Sequence, residues 1–326
     1  MRIVTLVLTL ASISRGLGQQ APTIRVPVRL VSLSTLVFSK NNQLIAGLEP
    51  HNFHVLDNGR RQNIRLDQTM APVSIVLAIQ TSQNVREYLP IIARVGSAVD
   101  SLLAGESGEA AVMSYNAEVA ILKTFDAGDV RSALRNLSAK DPPARMIDAG
   151  IRAVTLLRAR PASRSRVLLF IGQPVDRGSE SQLADLEQQA SKADLTVYAL
   201  TLPEFGKDFV SDTFSLGGVS RAERGGFKAG LDLGRLVTAL NRNARVQSGA
   251  DPFSILTATT GGTQFHFRKQ RQLEDALAAI GITLRSSYQL SYYPSSDEPG
   301  YHVVTIAVDV PGAKVYSRLG YWLSAE

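Results

Sequence analysis

The sequence contains no cysteine. Disulfides, thiolate zinc sites and cysteine nucleophiles are thereby excluded together, while export is not, since its signal is read elsewhere. Histidine is scarce too: His51, His54, His266 and His302 are the complete set. None falls in an H-E-x-x-H or comparable metal spacing, and His51 and His54 read as a chance pair around a turn. No G-x-S-x-G, G-x-x-x-x-G-K-[ST] or G-x-G-x-x-G stands between a strand and a helix, so the usual nucleophile elbow and phosphate cradles are missing. Gly261-Gly262-Thr263 precedes a strand instead of opening a helix, and a turn is the simpler reading. After the first residues no apolar run reaches the roughly 18 residues that span a bilayer. The formal charge of +6 is spread without a basic block or aromatic interleaving, which argues against nucleic acid as a partner. These absences point away from an enzyme, and a hydrolase is the least favoured class.

What is present begins with Arg2, an apolar run from Ile3 to Ile13, and the small residues Gly16 and Gly18. This is the three-part pattern of a secretory signal peptide, expected over residues 1–18. Retention as an uncleaved N-terminal anchor is the alternative, because Arg15 sits in the cleavage region. Ile24 to Phe38 then alternates as a strand. Phe53 to Leu56 and Asn63 to Leu66 flank Asp57-Asn58-Gly59, a strong hairpin signal.

At Pro72 the pattern changes. Val73 to Ile79 is a continuous apolar run suited to a strand buried on both faces of a parallel sheet. Strands over Ala110 to Tyr115, Val119 to Phe125, Val167 to Ile171 and Leu195 to Leu202 alternate with helical stretches at Tyr88 to Leu103, Val130 to Leu137, Met146 to Arg158 and Ser181 to Lys192. Such alternation predicts an α/β fold with a doubly wound, mostly parallel sheet. Residues 203–250 read as a long insertion with a helix over Leu231 to Asn243, and the pattern resumes with a helix from Pro252, a strand at Thr263 to Phe267 and a helix at Gln272 to Leu284. Strands at Tyr288 to Tyr293, Tyr301 to Val310 and Lys314 to Arg318 are natural partners for the N-terminal ones. The expected organisation is a smaller discontinuous β-sandwich (19–67 plus 286–326), built from both chain ends, with an α/β domain (68–285) inserted. The Tyr288, Tyr292, Tyr293, Tyr301, Tyr316, Tyr321 and Trp322 group reads chiefly as sheet packing, with an aromatic binding platform as the alternative.

Gly47-Leu48 with Phe53, the run Leu56-Asp57-Asn58-Gly59-Arg60-Arg61-Gln62, the Tyr288 to Pro294 segment and Gly320-Tyr321 occur in an order that resembles the exported von Willebrand factor A-related family of acidobacterial type. The resemblance covers nearly the whole mature chain and implies a Rossmann-type, von Willebrand factor A-like domain. In such domains D-x-S-x-S, a later Thr and an Asp after the fourth strand hold Mg²⁺ at the carboxyl ends of the strands. Here Gln80 stands at the first Asp position, Ser82 is kept, Asn84 replaces the second Ser, Ala144 takes the Thr position and Ile171-Gly172 replaces Asp-Gly. Mg²⁺ wants anionic oxygen, so the resemblance implies a degenerate adhesion site with no metal and no cofactor.

Gln80, Ser82, Asn84, Arg145 and Asp148 are the candidate partner-binding residues of these loops; the alternative for the first three is that they only satisfy the backbone of a vestigial loop. The expected function is a non-enzymatic, exported protein-interaction or adhesion-type module, secreted, periplasmic or surface-associated. It would bind a protein or another envelope or extracellular macromolecule. A structural or assembly component of an envelope complex is the second reading.

Overall fold

The computed structural model describes residues 30–67, 71–99, 107–126, 128–203 and 251–323. The expected signal segment and nearly all of the 203–250 insertion, with its helix, lie outside these residues. β1 (Val31–Phe38) leads to β2 (Phe53–Asp57), β3 (Arg60–Arg61) and β4 (Ile64–Asp67). Asn58 and Gly59 both take positive φ, 46° and 78°, the conformation a two-residue hairpin loop requires. The hairpin partner is β3, not the expected Asn63 to Leu66 strand. After Gln62 donates its backbone N–H to Val55 O, the chain leaves that sheet, and β4 pairs instead with a strand near the other end of the chain.

β5 (Val73–Gln80) opens the α/β part, followed by a 3-10 segment (Gln83–Tyr88), α1 (Leu89–Arg94) and α2 (Gly96–Val99). The helix expected from Tyr88 onward is thus broken at Val95, whose N–H closes a tight bond to Ile92 O. β6 (Glu109–Tyr115), β7 (Val119–Lys123), α3 (Val130–Arg135), α4 (Met146–Arg158), β8 (Ser165–Gly172), α5 (Leu183–Lys192), β9 (Leu195–Thr201), α6 (Pro252–Thr260), β10 (Gln264–His266) and α7 (Gln270–Ser286) follow.

The six strands from β5 to β10 form one sheet in the order β10-β9-β8-β5-β6-β7. Only the β6–β7 pair is antiparallel. Alternation along β5 explains why both faces are covered. Ile75, Leu77 and Ile79 join the cluster under α1, α2, α3 and α7, whereas Val76 and Ala78 join the one under α4, α5 and α6. Each of the Ile, Leu and Val side chains, fully buried, contributes about 1.5–3 kcal/mol, which is why a run without polar interruption belongs at the centre of the sheet. The strand order reverses direction between β5 and β8, and a doubly wound sheet leaves its crevice at the carboxyl ends of such a pair.

β11 (Tyr288–Tyr292), β12 (Gly300–Val308), β13 (Lys314–Tyr316) and β14 (Gly320–Leu323) close the chain. One more strand is present than the three expected there. They join the first strands in two four-stranded sheets, β13-β1-β11-β4 and β14-β12-β2-β3. Leu33, Val55, Leu290, Val304 and Tyr321, drawn from both sheets, share one apolar cluster.

Motif residues from the two ends meet in a buried polar knot. Asp57 Oδ2 accepts hydrogen bonds from the Tyr292 hydroxyl (3.0 Å) and the Tyr321 hydroxyl (2.6 Å). Asp57 Oδ1 lies 2.7 Å from His302 Nδ1, and His302 Nε2 lies 2.8 Å from Glu298 O. The ring thus bridges a carboxylate on one side and a backbone carbonyl on the other. Burial first, then the neighbouring Tyr321 and Asp57, push the Tyr292 phenol well up, so it remains a neutral donor. The Tyr and Trp residues therefore divide. Tyr292 and Tyr321 are interior, whereas Tyr293, Tyr301 and Trp322 are exposed.

Candidate functional site

Gln80 ends β5, in register with Tyr115 of β6 and one residue beyond the last β8 pair, Ile79 opposite Ile171. Its side chain is buried and spans the crevice. Gln80 Nε2 donates to Ser82 Oγ at 2.6 Å, and Gln80 Oε1 accepts from the Gln173 backbone N–H at 2.6 Å. Gln173 continues the chain of amides: its Oε1 accepts from Asn84 Nδ2 at 3.2 Å, and its Nε2 donates to Pro203 O at 3.1 Å. Gln80, Ser82 and Asn84 are thus brought together, with Gln80 and Ser82 buried and Asn84 exposed at the rim.

The other crevice wall is fixed by backbone pairing. Thr81 N–H donates to Tyr115 O, Lys140 N–H to Thr81 O, and Asn116 Nδ2 to Thr81 Oγ1. Tyr115 closes the floor with a hydroxyl that has no partner. Burial, reinforced by the charge of Asp176, pushes that phenol far up, so it stays protonated.

Arg145 and Asp148 do not reach this amide chain; they organise the loop after β8. Arg145 Nε donates to Asp148 Oδ2 at 2.8 Å, and a second guanidinium nitrogen donates to Glu180 Oε1 at 2.9 Å. Asp148 also accepts backbone N–H bonds from Glu180 and Ser181, both at 3.1 Å. In return Asp176 caps α4 by accepting from Ile147 N–H at 2.8 Å, and Ser179 Oγ accepts from Asp148 N–H at 3.1 Å. Sequence reasoning missed Gln173, Thr81 and Asn116. The available signal was position: polar residues standing directly after an apolar strand in this topology face the crevice.

Burial would raise the Asp148 carboxyl, but hydrogen bonds from Ser181, Glu180 and Arg145 outweigh it and hold the group below its ordinary value. A depressed folded value contributes stability above the unfolded value, about 3.9, that is lost as pH falls through the folded one. Urea unfolding as a function of pH should show that loss below about pH 4. Asp148→Asn should be less stable by about 1–3 kcal/mol at pH 7 and flatter in acid. An unchanged acid profile would show that Asp148 does not carry this linkage.

Von Willebrand factor A-like domains with the full D-x-S-x-S set hold Mg²⁺ at this crevice, and the side chains present here do not fit it. The donors are two glutamine amides, a serine hydroxyl and an asparagine amide, all already paired with one another. Ala144, at the expected Thr position, is buried without an oxygen to offer. Ile171, which with Gly172 stands in place of Asp-Gly, is buried in the apolar cluster and offers no oxygen, and Gly172 lies beside Gln80. A Cβ at Gly172 would lie 2.4 Å from the Tyr115 hydroxyl and 2.8 Å from Gln80 Cβ, so a carboxylate there has no room. Among the described residues, no three His, Asp or Glu side chains gather as a metal site.

No protein-family model matches the sequence, and no curated protein matches it either. Among solved structures the chain is similar to a von Willebrand factor type A protein from Catenulispora acidiphila, at 12% identity and a TM-score of 0.45, over 90% of this chain. It spans 63% of the length of that structure. It is also similar to the conserved hypothetical protein BatB from Bacteroides thetaiotaomicron, at 13% identity and a TM-score of 0.42, over 65% of this chain and 99% of the other. The vWF domain of the type V pili tip protein Mfa5 from Porphyromonas gingivalis gives 17% identity and a TM-score of 0.28 over 32% of this chain and 38% of the other. These are likenesses of fold, and no activity or partner passes through them to this chain.

Proposed function

We propose that this chain is a non-enzymatic, exported protein-interaction or adhesion-type module whose von Willebrand factor A-like crevice works without metal. The two four-stranded sheets are read as a β-sandwich domain, residues 19–67 plus 286–326, into which the α/β domain at 68–285 is inserted. The observation that carries the reading is Gln80. Its amide occupies the position between β5 and β8 where a bound cation would draw the two strand ends together, and it joins them by neutral hydrogen bonds instead. A carboxylate-to-amide exchange removes the charge that would offset the dehydration of Mg²⁺. Asn84 and the exposed residues Gln83, Arg86 and Glu87 next to it then form the rim that meets a macromolecular partner. Among the described residues no helix is long and apolar enough to cross a membrane.

Thermal unfolding of the mature protein with and without millimolar Mg²⁺, Mn²⁺ or Ca²⁺ tests the metal-free reading, because a ligand that binds only the native state must raise its stability. The expected result is no shift. A rise removed by Ser82→Ala together with Asn84→Ala would restore metal-dependent adhesion. The interaction reading is tested by cross-linked capture from the native envelope fraction. A specific partner should be lost from an Asn84→Arg variant of unchanged stability, and finding none enriched on the unaltered protein would sink the reading.

A further inference from the structure

Three large apolar side chains on β12 and β14 are left in contact with solvent: Tyr301 at 37% exposure, Val303 at 53% and Trp322 at 36%. Tyr301 stands directly opposite Trp322 in that antiparallel pair, and Val303 opposite Gly320. Alternation brings all three to the outer face of the sheet, away from the buried pair His302 and Tyr321.

The two rings form a corner. Gly320 makes room for the first of them, since a Cβ there would lie 2.7 Å from Tyr301 Cζ. The Tyr301 and Trp322 centroids are 5.6 Å apart with planes at 62°, so the rings are two walls and not one flat platform. α5 runs alongside. Its Ser191 Oγ accepts the Trp322 backbone N–H at 2.9 Å, and Glu187 lies one helical turn earlier on the same stripe. Glu187 is half-buried, is hydrogen-bonded by the Thr259 hydroxyl, and enters no ion pair among the described residues. Burial accordingly pushes its carboxyl up. Burial first, then the charge of Glu187, push the Tyr301 phenol up as well, with Arg318 acting in the opposite sense. The charge of Arg318 is itself answered by Asp194 at 2.9 Å, whereas that of Glu187 has no such answer. A desolvated carboxylate without a cation, set beside exposed aromatic rings, is the complement of a positively charged planar group.

We infer that this corner receives an arginine side chain of a partner protein, its guanidinium packed against the Tyr301 and Trp322 rings and forked onto the Glu187 carboxylate. Arginine suits both demands at once, because its plane stacks on aromatic faces while its edge pairs with two carboxylate oxygens. Three partly exposed side chains fall well short of the roughly 800 Å² a side that a standard interface buries, so one anchoring side chain fits the corner better than the flat face of a second copy. The corner shares no residue with the Gln80 crevice, and either reading can fail without the other.

Trp322 is the only tryptophan in the sequence, so intrinsic fluorescence reports on the corner directly. Titration of the intact mature protein with N-acetylarginine amide, against its neutral isostere N-acetylcitrulline amide at constant ionic strength, needs no variant. A saturable change is expected with the arginine probe and none with citrulline over the same range. Glu187→Gln, which can keep the Thr259 hydrogen bond, should weaken the arginine probe about tenfold or more, the scale of a lost charge-assisted contact. Glu274→Gln, an exposed carboxylate on α7, should leave it unchanged. No response to arginine, equal responses to arginine and citrulline, or full affinity in Glu187→Gln would overturn the inference. So would a saturable response to N-acetylglucosamine alone, which would assign the corner to a glycan, or Trp322 fluorescence that changes with protein concentration in the absence of any probe, which would assign it to a second copy of the chain.

Discussion

Replacing Asp57 by alanine should lower the unfolding free energy by roughly 3–5 kcal/mol, since a buried donor left without its acceptor costs about 1–3 kcal/mol and Asp57 serves three of them. The reason lies in what is left behind. Asp57, 4% exposed, is the common acceptor for two tyrosine hydroxyls and one ring nitrogen of His302, which is itself 1% exposed. Alanine leaves all three groups in the interior without the acceptor they share. By contrast, Tyr321→Phe removes one donor and leaves no group unpaired on the ring side, so its cost should stay near the roughly 0.5–1.5 kcal/mol of a single hydrogen bond. Urea unfolding followed by circular dichroism measures both; a shift of the midpoint at constant m is the expected form. A loss below about 1 kcal/mol for Asp57→Ala would mean that the knot contributes little more than an ordinary surface contact.

The second large effect is expected at Gly262. A Cβ there would stand 1.8 Å from the carbonyl oxygen of Val197 and 2.7 Å from its carbonyl carbon, in the middle of β9. An overpacked core side chain usually costs about 1–3 kcal/mol because neighbours rotate away. Here the obstacle is the backbone of an interior strand paired on both sides by β8 and β10, so Gly262→Ala should exceed that range and lower expression as soluble protein. The comparison is Gly47→Ala, where a Cβ meets nothing within 4 Å and only the left-handed φ of 78° resists. Its cost should be the smaller one. Equal midpoints for the two variants would show that β9 can shift to make room.

These two positions illustrate what the sequence makes legible and what it hides. The uninterrupted apolar run at β5 announces a strand covered on both faces, because a residue on either side of it must be apolar. The alternation of strands and helices likewise leads to the doubly wound sheet without knowledge of any contact. Asn58-Gly59 identifies its turn through backbone conformation alone, yet not the strand that pairs across it. That choice depends on Gln62, whose side chain bonds Arg60 O and Ser295 Oγ, the latter 233 residues away. Asp57 could be recognised as part of a motif, but its role as an interior acceptor depends on strands supplied from the far end of the chain. The candidate site shows the same division. Gln80, Ser82 and Asn84 are adjacent in sequence and were found together, whereas Gln173 and Pro203 join them only through the sheet. Arg145 and Asp148 join that group only through the resemblance of their loop to the one that carries the metal-site Thr, and their hydrogen bonds run instead to the 176–181 loop.

The joining of first and last strands has a consequence for the order of synthesis. Asp57 and Tyr321 are 264 residues apart, and among the described strands β1 pairs with β11 and β13. A ribosome making this chain releases β1 long before β11 and β13 exist, and β2 with only the two-residue β3 beside it, so these strands spend most of translation with open edges. Closing so long a loop costs only slowly growing entropy but must precede any pairing gain, which makes these sheets the last part to form. A chain assembled in that order keeps its leading strands open until the final ones arrive, and it is in that interval that shielding by a holding chaperone would count most.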